Sequence, residues 1–126
     1  KQVEMDIVLK ETRLPLEADR NLIEQVLINL VINAIDAAKD CHDPLVTLSG
    51  YRSDGHIILE VADNGKGIPE EMLERIFVPF FSTKERGSGI GLSLSRQIML
   101  LHKGNIQVRS TEGKGSHFML VFPAVE

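Results

Sequence analysis

Along the chain, apolar positions switch between a period of two and a period near 3.6, and each switch marks an element. Val3 to Leu9 alternates in part and predicts a strand that ends before Pro15. Asp19 is a good N-cap for a long helix over Arg20–Lys39, which Pro44 does not allow to continue. Leu45–Arg52 and His56–Ala62 predict two strands joined by Ser53-Asp54-Gly55, residue types suited to a hairpin turn. Pro69 followed by Glu70 and Glu71 predicts the first turn of a short helix ending near Phe77. Gly87 to Gly91 then lead into a helix over Leu92–Lys103, with Gly104 as its C-cap. Asn105–Ser110 and His117–Phe122 close the chain as a hairpin around Glu112-Gly113-Lys114-Gly115. No repeat, low-complexity tract or linker interrupts this order. Strand, helix, hairpin, helix, helix, hairpin predicts an α+β fold with helices on one face of a mixed sheet.

The long helix carries the first chemical signal. At about 100° per residue, apolar side chains cover nearly its whole circumference. Ile23, Leu27, Leu30, Ala34 and Ala37 make one face, and Ile28, Ile32 and Ile35 make another. The polar exceptions form one narrow stripe of Gln25, Asn29, Asn33 and Asp36. A solvated stripe ordinarily carries Lys and Glu. Amides on an otherwise buried helix need partners, because an unsatisfied buried polar group costs about 1–3 kcal/mol. A hard cation or a ligand cavity would supply them.

Composition and charge remove several classes of function. The chain has 126 residues, 43% hydrophobic and 25% charged, an ordinary single globular domain. A net charge of -4 argues against a nucleic-acid module whose affinity rests on neutralising phosphates. The lone Cys41 excludes an intramolecular disulfide, and no Cys/His cluster suggests zinc. No apolar run approaches the roughly 20 residues of a bilayer span. The first residue is Lys1 rather than Met, so a piece of a longer protein is expected.

Three further segments stand out. Val61-Ala62-Asp63-Asn64-Gly65-Lys66-Gly67-Ile68-Pro69 is a strand running into a tight glycine turn. Gly87-Ser88-Gly89-Ile90-Gly91 precedes a helix, where backbone N–H groups favour an anion, although it is neither a Walker loop nor a GxGxxG. Phe77-Val78-Pro79-Phe80-Phe81-Ser82-Thr83-Lys84 holds three of the five phenylalanines, an apolar plug on the core.

Each segment is weak alone, but taken together in order they are specific. Asn29-Leu30-Val31-Ile32-Asn33-Ala34, Asp63-x-Gly65-x-Gly67, Phe80-Phe81, Gly87-x-Gly89-x-Gly91-Leu92 and Gly113-x-Gly115 follow one another over nearly the whole chain. This resembles the catalytic ATP-binding domain of bacterial sensor histidine kinases, within the gyrase, heat-shock-chaperone, kinase and mismatch-repair (GHKL) ATPase superfamily. The resemblance implies the Bergerat fold, a two-layer α+β sandwich of a mixed sheet covered by about three helices. It also implies one catalytic domain over residues 1–126, without the dimerisation and phosphoacceptor domain of its kinase.

By the same resemblance, Asn33 is the magnesium-binding asparagine, and Asn29 is its neighbour in the catalytic pocket. Asp63 accepts a hydrogen bond from the adenine amino group, while Gly65 and Gly67 let the backbone pass close to the base, with Ile68 beside them. Gly87, Gly89 and Gly91 form the phosphate-cradling turn, with Ser88, Ile90 and Leu92 between and after them. Phe80 and Thr83 border the nucleotide, and Lys84 to Ser88 form a short ATP lid with Lys84 and Arg86 as phosphate contacts. The hydrolytic relatives carry a water-activating glutamate where this chain has Asn29, so poor hydrolysis and transfer to a protein acceptor are expected. Asp36, also implied among the ATP-binding positions, stands where the family often has Lys or Arg. Asn33-Ala34-Ile35-Asp36-Ala37, with the short lid, is similar to the nitrogen-regulation and dicarboxylate-sensor subgroup.

The function implied is binding of Mg-ATP and transfer of its γ-phosphoryl group to a histidine on a separate phosphoacceptor domain, in two-component signalling. ATP and Mg2+ are the cofactors implied. The partners are the helical phosphoacceptor domain of the same, homodimeric kinase and a downstream receiver domain, with no nucleic acid. The phosphoacceptor pattern itself is absent, since His42-Asp43-Pro44 lacks the Arg and following Pro. A cytoplasmic domain is implied, and an anchor of the parent in the inner membrane is left open. Two rivals share the fold: a serine kinase of the anti-sigma-factor type, and a degenerate ATP-sensing module, against which the complete motif set counts.

Overall fold

A computed structural model of the chain describes residues 3–9, 18–79 and 91–123. Strand β1 is Glu4–Leu9, followed by helix α1, Arg20–Ala38, and the hairpin of β2, Leu45–Ser53, and β3, His56–Asp63. A 3-10 helix over Glu70–Met72 precedes helix α2, Gly91–Leu101, and the hairpin of β4, Asn105–Thr111, and β5, Gly115–Pro123. The strands form one sheet in the order β1-β2-β3-β5-β4. Among the described residues, only β1 and β2 run parallel, joined through α1, and the other neighbours are antiparallel.

Local chemistry accounts for the boundaries. Asp19 Oδ1 accepts the Leu22 N–H at 3.1 Å and caps α1, as its sequence position predicts. The β2–β3 turn puts Asp54 at φ 49° and Gly55 at φ 77°, the two positive values a two-residue turn of this hand requires. Each strand of that hairpin gains one residue over the sequence reading. α2 ends differently from expectation. The left-handed residue is Lys103, at φ 60°, and not Gly104. Lys103 N donates to Leu100 O and Gly104 N to Met99 O, the paired bonds of a Schellman cap. Gly104 is needed for another reason: a Cβ there would collide with the Val121 carbonyl of β5. The short helix expected from Pro69 to Phe77 is 3-10 in character. Met72 N donates to Pro69 O, Arg75 N to Met72 O and Val78 N to Arg75 O, each three residues back.

The core lies between one sheet face and both helices. Val46, Ile57, Val61, Leu120 and Phe122 of the sheet meet Val26, Leu30 and Ala38 of α1 and Met99 of α2, all at most 1% exposed. Full burial of a large aliphatic or Phe side chain contributes about 1.5–3 kcal/mol relative to exposure. The opposite face carries Tyr51, Glu60 and His117, where Glu60 accepts from Tyr51 Oη and contacts His117 Nδ1, both at 2.9 Å.

α1 departs from the all-round burial its composition suggests. Ile28 and Ile32 are 59% and 58% exposed, and Ile35 is also exposed, because the sheet and α2 together cover only the other side of the helix. Contrary to the sequence reading that no run approaches a bilayer span, α1 is long and apolar enough to pass for one by length and composition alone. Its buried residues Ile23, Val26, Leu30, Ala34 and Ala38 instead pack on the sheet.

Candidate functional site

The polar stripe of α1 faces α2 at one end and a glycine loop at the other. Asn29 Nδ2 donates to Ser95 Oγ of α2 at 3.4 Å. A Cβ at Gly91 would stand 2.7 Å from Asn29 Oδ1, so the first residue of α2 lies directly on this amide. Toward the C-terminus of α1, a Cβ at Gly65 would collide with the Ala37 carbonyl, which also accepts the Lys66 N–H at 3.3 Å. Half-buried Asn33 sits between these contacts. From Asn29 to Ala37 the helix rises about 12 Å at 1.5 Å per residue. Asp36 Oδ1 lies 3.0 Å from Lys39 Nζ, so this carboxylate draws a lysine to the end of the stripe.

Asp63 ends β3 and is buried, at 8% exposed. Burial pushes its carboxyl above the ordinary carboxylate range, and the N–H groups of Gly65 and Ser116 and the charge of His117 act against that rise. Gly65 N donates to Asp63 Oδ1 at 2.8 Å. The loop from Asp63 to Ile68 is held between α1 and the β4–β5 turn. Gly67, at φ 72°, fits against the Thr111 carbonyl, and Gly113 N donates to Lys66 O at 2.7 Å. Glycine at 65 and 67 is therefore required by this chain's own backbone, independently of any ligand.

Sequence reasoning missed three supporting residues. Ser95, 2% exposed, is the α2 partner of Asn29. Ser110 Oγ accepts the Ile68 N–H at 2.7 Å and donates to Gly115 O at 3.0 Å, tying the loop to the last hairpin. Asn64 joins β2 to β3: its Oδ1 accepts from Leu45 N at 2.9 Å and its Nδ2 donates to Asp43 O at 2.7 Å. Asn64 lies inside a quoted motif, but its role depends on contacts with residues far along the chain. Arg96 of α2 stands 5.7 Å from the centroid of the Phe77 ring, within cation–π range.

Asn29 thus meets Gly91 across the two helices and Gly65 seats the Asp63–Ile68 loop, with Gly67, on α1; Asn33 and Asp36 lie along α1 between these two contacts, and Leu92 follows Gly91 on α2. Phe80, Thr83, Lys84, Arg86, Gly87, Ser88, Gly89 and Ile90 lie outside the described residues. Among the described residues, no group of three or more His, Cys, Asp or Glu could hold a metal ion.

A helix with an amide stripe is therefore met by a glycine loop that follows a buried aspartate. Residues 18–126 match the family described as Histidine kinase-, DNA gyrase B-, and HSP90-like ATPase. The chain belongs to that family. Among its relatives, Sporulation kinase E of Bacillus subtilis is 38% identical over 121 residues, 96% of this chain and 16% of the relative. Sensor histidine kinase ZraS of Escherichia coli is 37% identical over 123 residues, 98% of this chain and 26% of the relative. The chain therefore spans about a quarter or less of these kinases. The nucleotide-free catalytic domain of histidine kinase ThkA superposes with a TM-score of 0.84 at 36% identity, covering 97% of this chain and 79% of that one. Full-length ShkA in complex with AMPPNP gives a TM-score of 0.86 at 26% identity, over 98% of this chain and 26% of that one.

Proposed function

We propose that this chain is the single ATP-binding catalytic domain of a sensor histidine kinase, and that it passes the γ-phosphoryl group of Mg-ATP to a histidine on a separate helical domain. The carrying observation is the placement of α1. Its amide stripe touches the first residue of α2 at Asn29, and the loop following buried Asp63 closes on the same helix at Ala37. Adenine then belongs at the Asp63 end, where a buried carboxylate accepts from an exocyclic amine. The phosphates belong near Asn33, Asn29 and the N-terminus of α2, whose dipole favours anions.

Magnesium, when bound, neutralises charge on the phosphates. The residues present fit it: Mg2+ takes oxygen donors and keeps several waters, and Asn33 offers one half-buried amide oxygen on a stripe without a carboxylate cage. Phosphoryl transfer needs alignment and charge stabilisation more than covalent help. The acceptor imidazole nitrogen forms a bond to the γ-phosphorus as the bond to the ADP oxygen breaks. The acceptor and its neighbouring acid come from another domain. Asn29 has no basic side chain with which to activate water, so the domain holds ATP and hydrolyses it slowly.

Within this reading, the partners are the phosphoacceptor helices of a homodimeric kinase and then a receiver domain. The domain works on the cytoplasmic side, whether or not its kinase is anchored in the inner membrane. Calorimetry on the isolated chain tests the core of the proposal. ATP or ADP should bind with magnesium present, and no heat at millimolar nucleotide would refute it.

A further inference from the structure

We propose that Asn29 is a positioning residue for phosphoryl transfer, acting through α2: its side-chain amide is the spacer that sets the first turn of α2 against the magnesium-asparagine helix. The inference rests on the nucleotide reading above and assigns Asn29 a different task from direct contact with the reacting groups.

The geometry is specific. One amide meets two α2 residues that lie one turn apart on the same face, Gly91 and Ser95. Its Nδ2 donates to Ser95 Oγ at 3.4 Å, inside a helix pair where Ser95 is 2% exposed. At Gly91 an added Cβ would come within 2.7 Å of Oδ1, 2.9 Å of Nδ2 and 3.1 Å of Cγ, so the amide fills the space a side chain at 91 would take. Such separations are closer than a real Cβ allows, so a side chain at 91 would turn the amide, the far end of a flexible side chain, away from Ser95. The other end of the pair is fixed separately. Asp19 N donates to His102 Nε2 at 2.9 Å, while His102 Nδ1 lies 2.8 Å from Ile98 O. α2 is therefore held to α1 at both ends, and the pin at its N-terminal end is Asn29. That end carries Gly91, whose backbone begins the helix proposed to face the phosphates.

A size swap tests this. Gly91→Ala turns the Asn29 amide out of this space and should weaken Mg-ATP binding about threefold to tenfold. Adding Asn29→Ala opens the space again, so the double variant should bind Mg-ATP more tightly than Gly91→Ala alone and recover its thermal unfolding midpoint. A double variant weaker than either single one would overturn the proposal, because it would mean that Asn29 and Gly91 contribute separately. Ser95→Ala removes the hydrogen-bond partner without adding volume, which keeps the test valid if Gly91→Ala does not fold. It should lower ATP affinity about threefold to tenfold while leaving AMP affinity unchanged, since AMP is held at the Asp63 end. A general loss of stability would lower both. An unchanged ratio of ATP to AMP affinity in Ser95→Ala would overturn the proposal. A parent domain that binds neither nucleotide would refute the nucleotide reading instead, and recovery of the unfolding midpoint would still report the steric pairing.

Discussion

Gly65 lies against the carbonyl of Ala37, the penultimate residue of α1, so closely that no side chain fits between them. This contact seats the loop that follows Asp63 on the helix that carries Asn33. Gly65→Ala must push backbone away from backbone, and overpacking of this kind costs about 1–3 kcal/mol or more. The variant should show a lower urea midpoint and weaker ADP binding together. A variant with parental stability would show that the loop does not depend on this approach.

Asp63→Asn tests recognition, with folding measured alongside because the carboxyl also accepts from the Ser116 N–H. The Gly65 N–H that Asp63 Oδ1 accepts at 2.8 Å has an amide oxygen to bond in its place. The amide N–H2 then opposes the adenine amine, donor against donor. Loss of a hydrogen bond to a charged group is worth about 1.5–3 kcal/mol, a drop in ATP affinity of roughly tenfold to a hundredfold. The variant should also lose its preference for ATP over GTP. Titration calorimetry on folded protein checks both.

The raised Asp63 carboxyl also predicts a pH dependence. Burial, the largest cause, puts the folded value above the unfolded one, so between the two the folded chain binds more protons than the unfolded chain. The contribution of this group to stability therefore falls as pH rises through that window. Subtracting the unfolding profile of Asp63→Asn from that of the parent should show this slope. Nucleotide affinity runs the other way, since protonation removes the acceptor. It should decline on acidification at a pH above the range in which an exposed aspartate titrates. Parallel profiles for parent and variant would exclude Asp63 as the cause.

Asn29→Glu puts a carboxylate one turn before Asn33, where the hydrolytic relatives have their base. The glutamate is longer than the asparagine that packs on Gly91, so it should displace α2 as well as approach water. Weaker Mg-ATP binding is expected, with little gain in phosphate release, because a base must also lie within reach of an aligned water. Release rising above ten times the parental rate with affinity intact would show that position 29 has room for a base.

Most of the architecture was legible in the sequence because it is local. Asp19 caps α1, Asp54-Gly55 turns a hairpin, and strand alternation separates the two sheet faces. What was not legible comes from packing between distant segments. Lys103 takes the left-handed cap, and Gly104 after it serves a close approach to the Val121 carbonyl instead. Ile28 and Ile32 face outward although their composition reads as core, because a wheel shows which residues share a face and not which face the sheet covers. The candidate site divides in the same way. The amide stripe of Asn29 and Asn33 stood out by residue type and spacing and Asp63 could be named through the family resemblance of its motif, whereas Ser95 and Ser110 matter only through partners far along the chain.

The most direct test of the account mixes this domain with a helical phosphoacceptor domain, γ-labelled ATP and magnesium. Label on histidine and free phosphate are then followed in parallel over hours. The account predicts label on the acceptor histidine and very slow phosphate release by the domain alone. Brisk release without an acceptor, or label on serine, would contradict it.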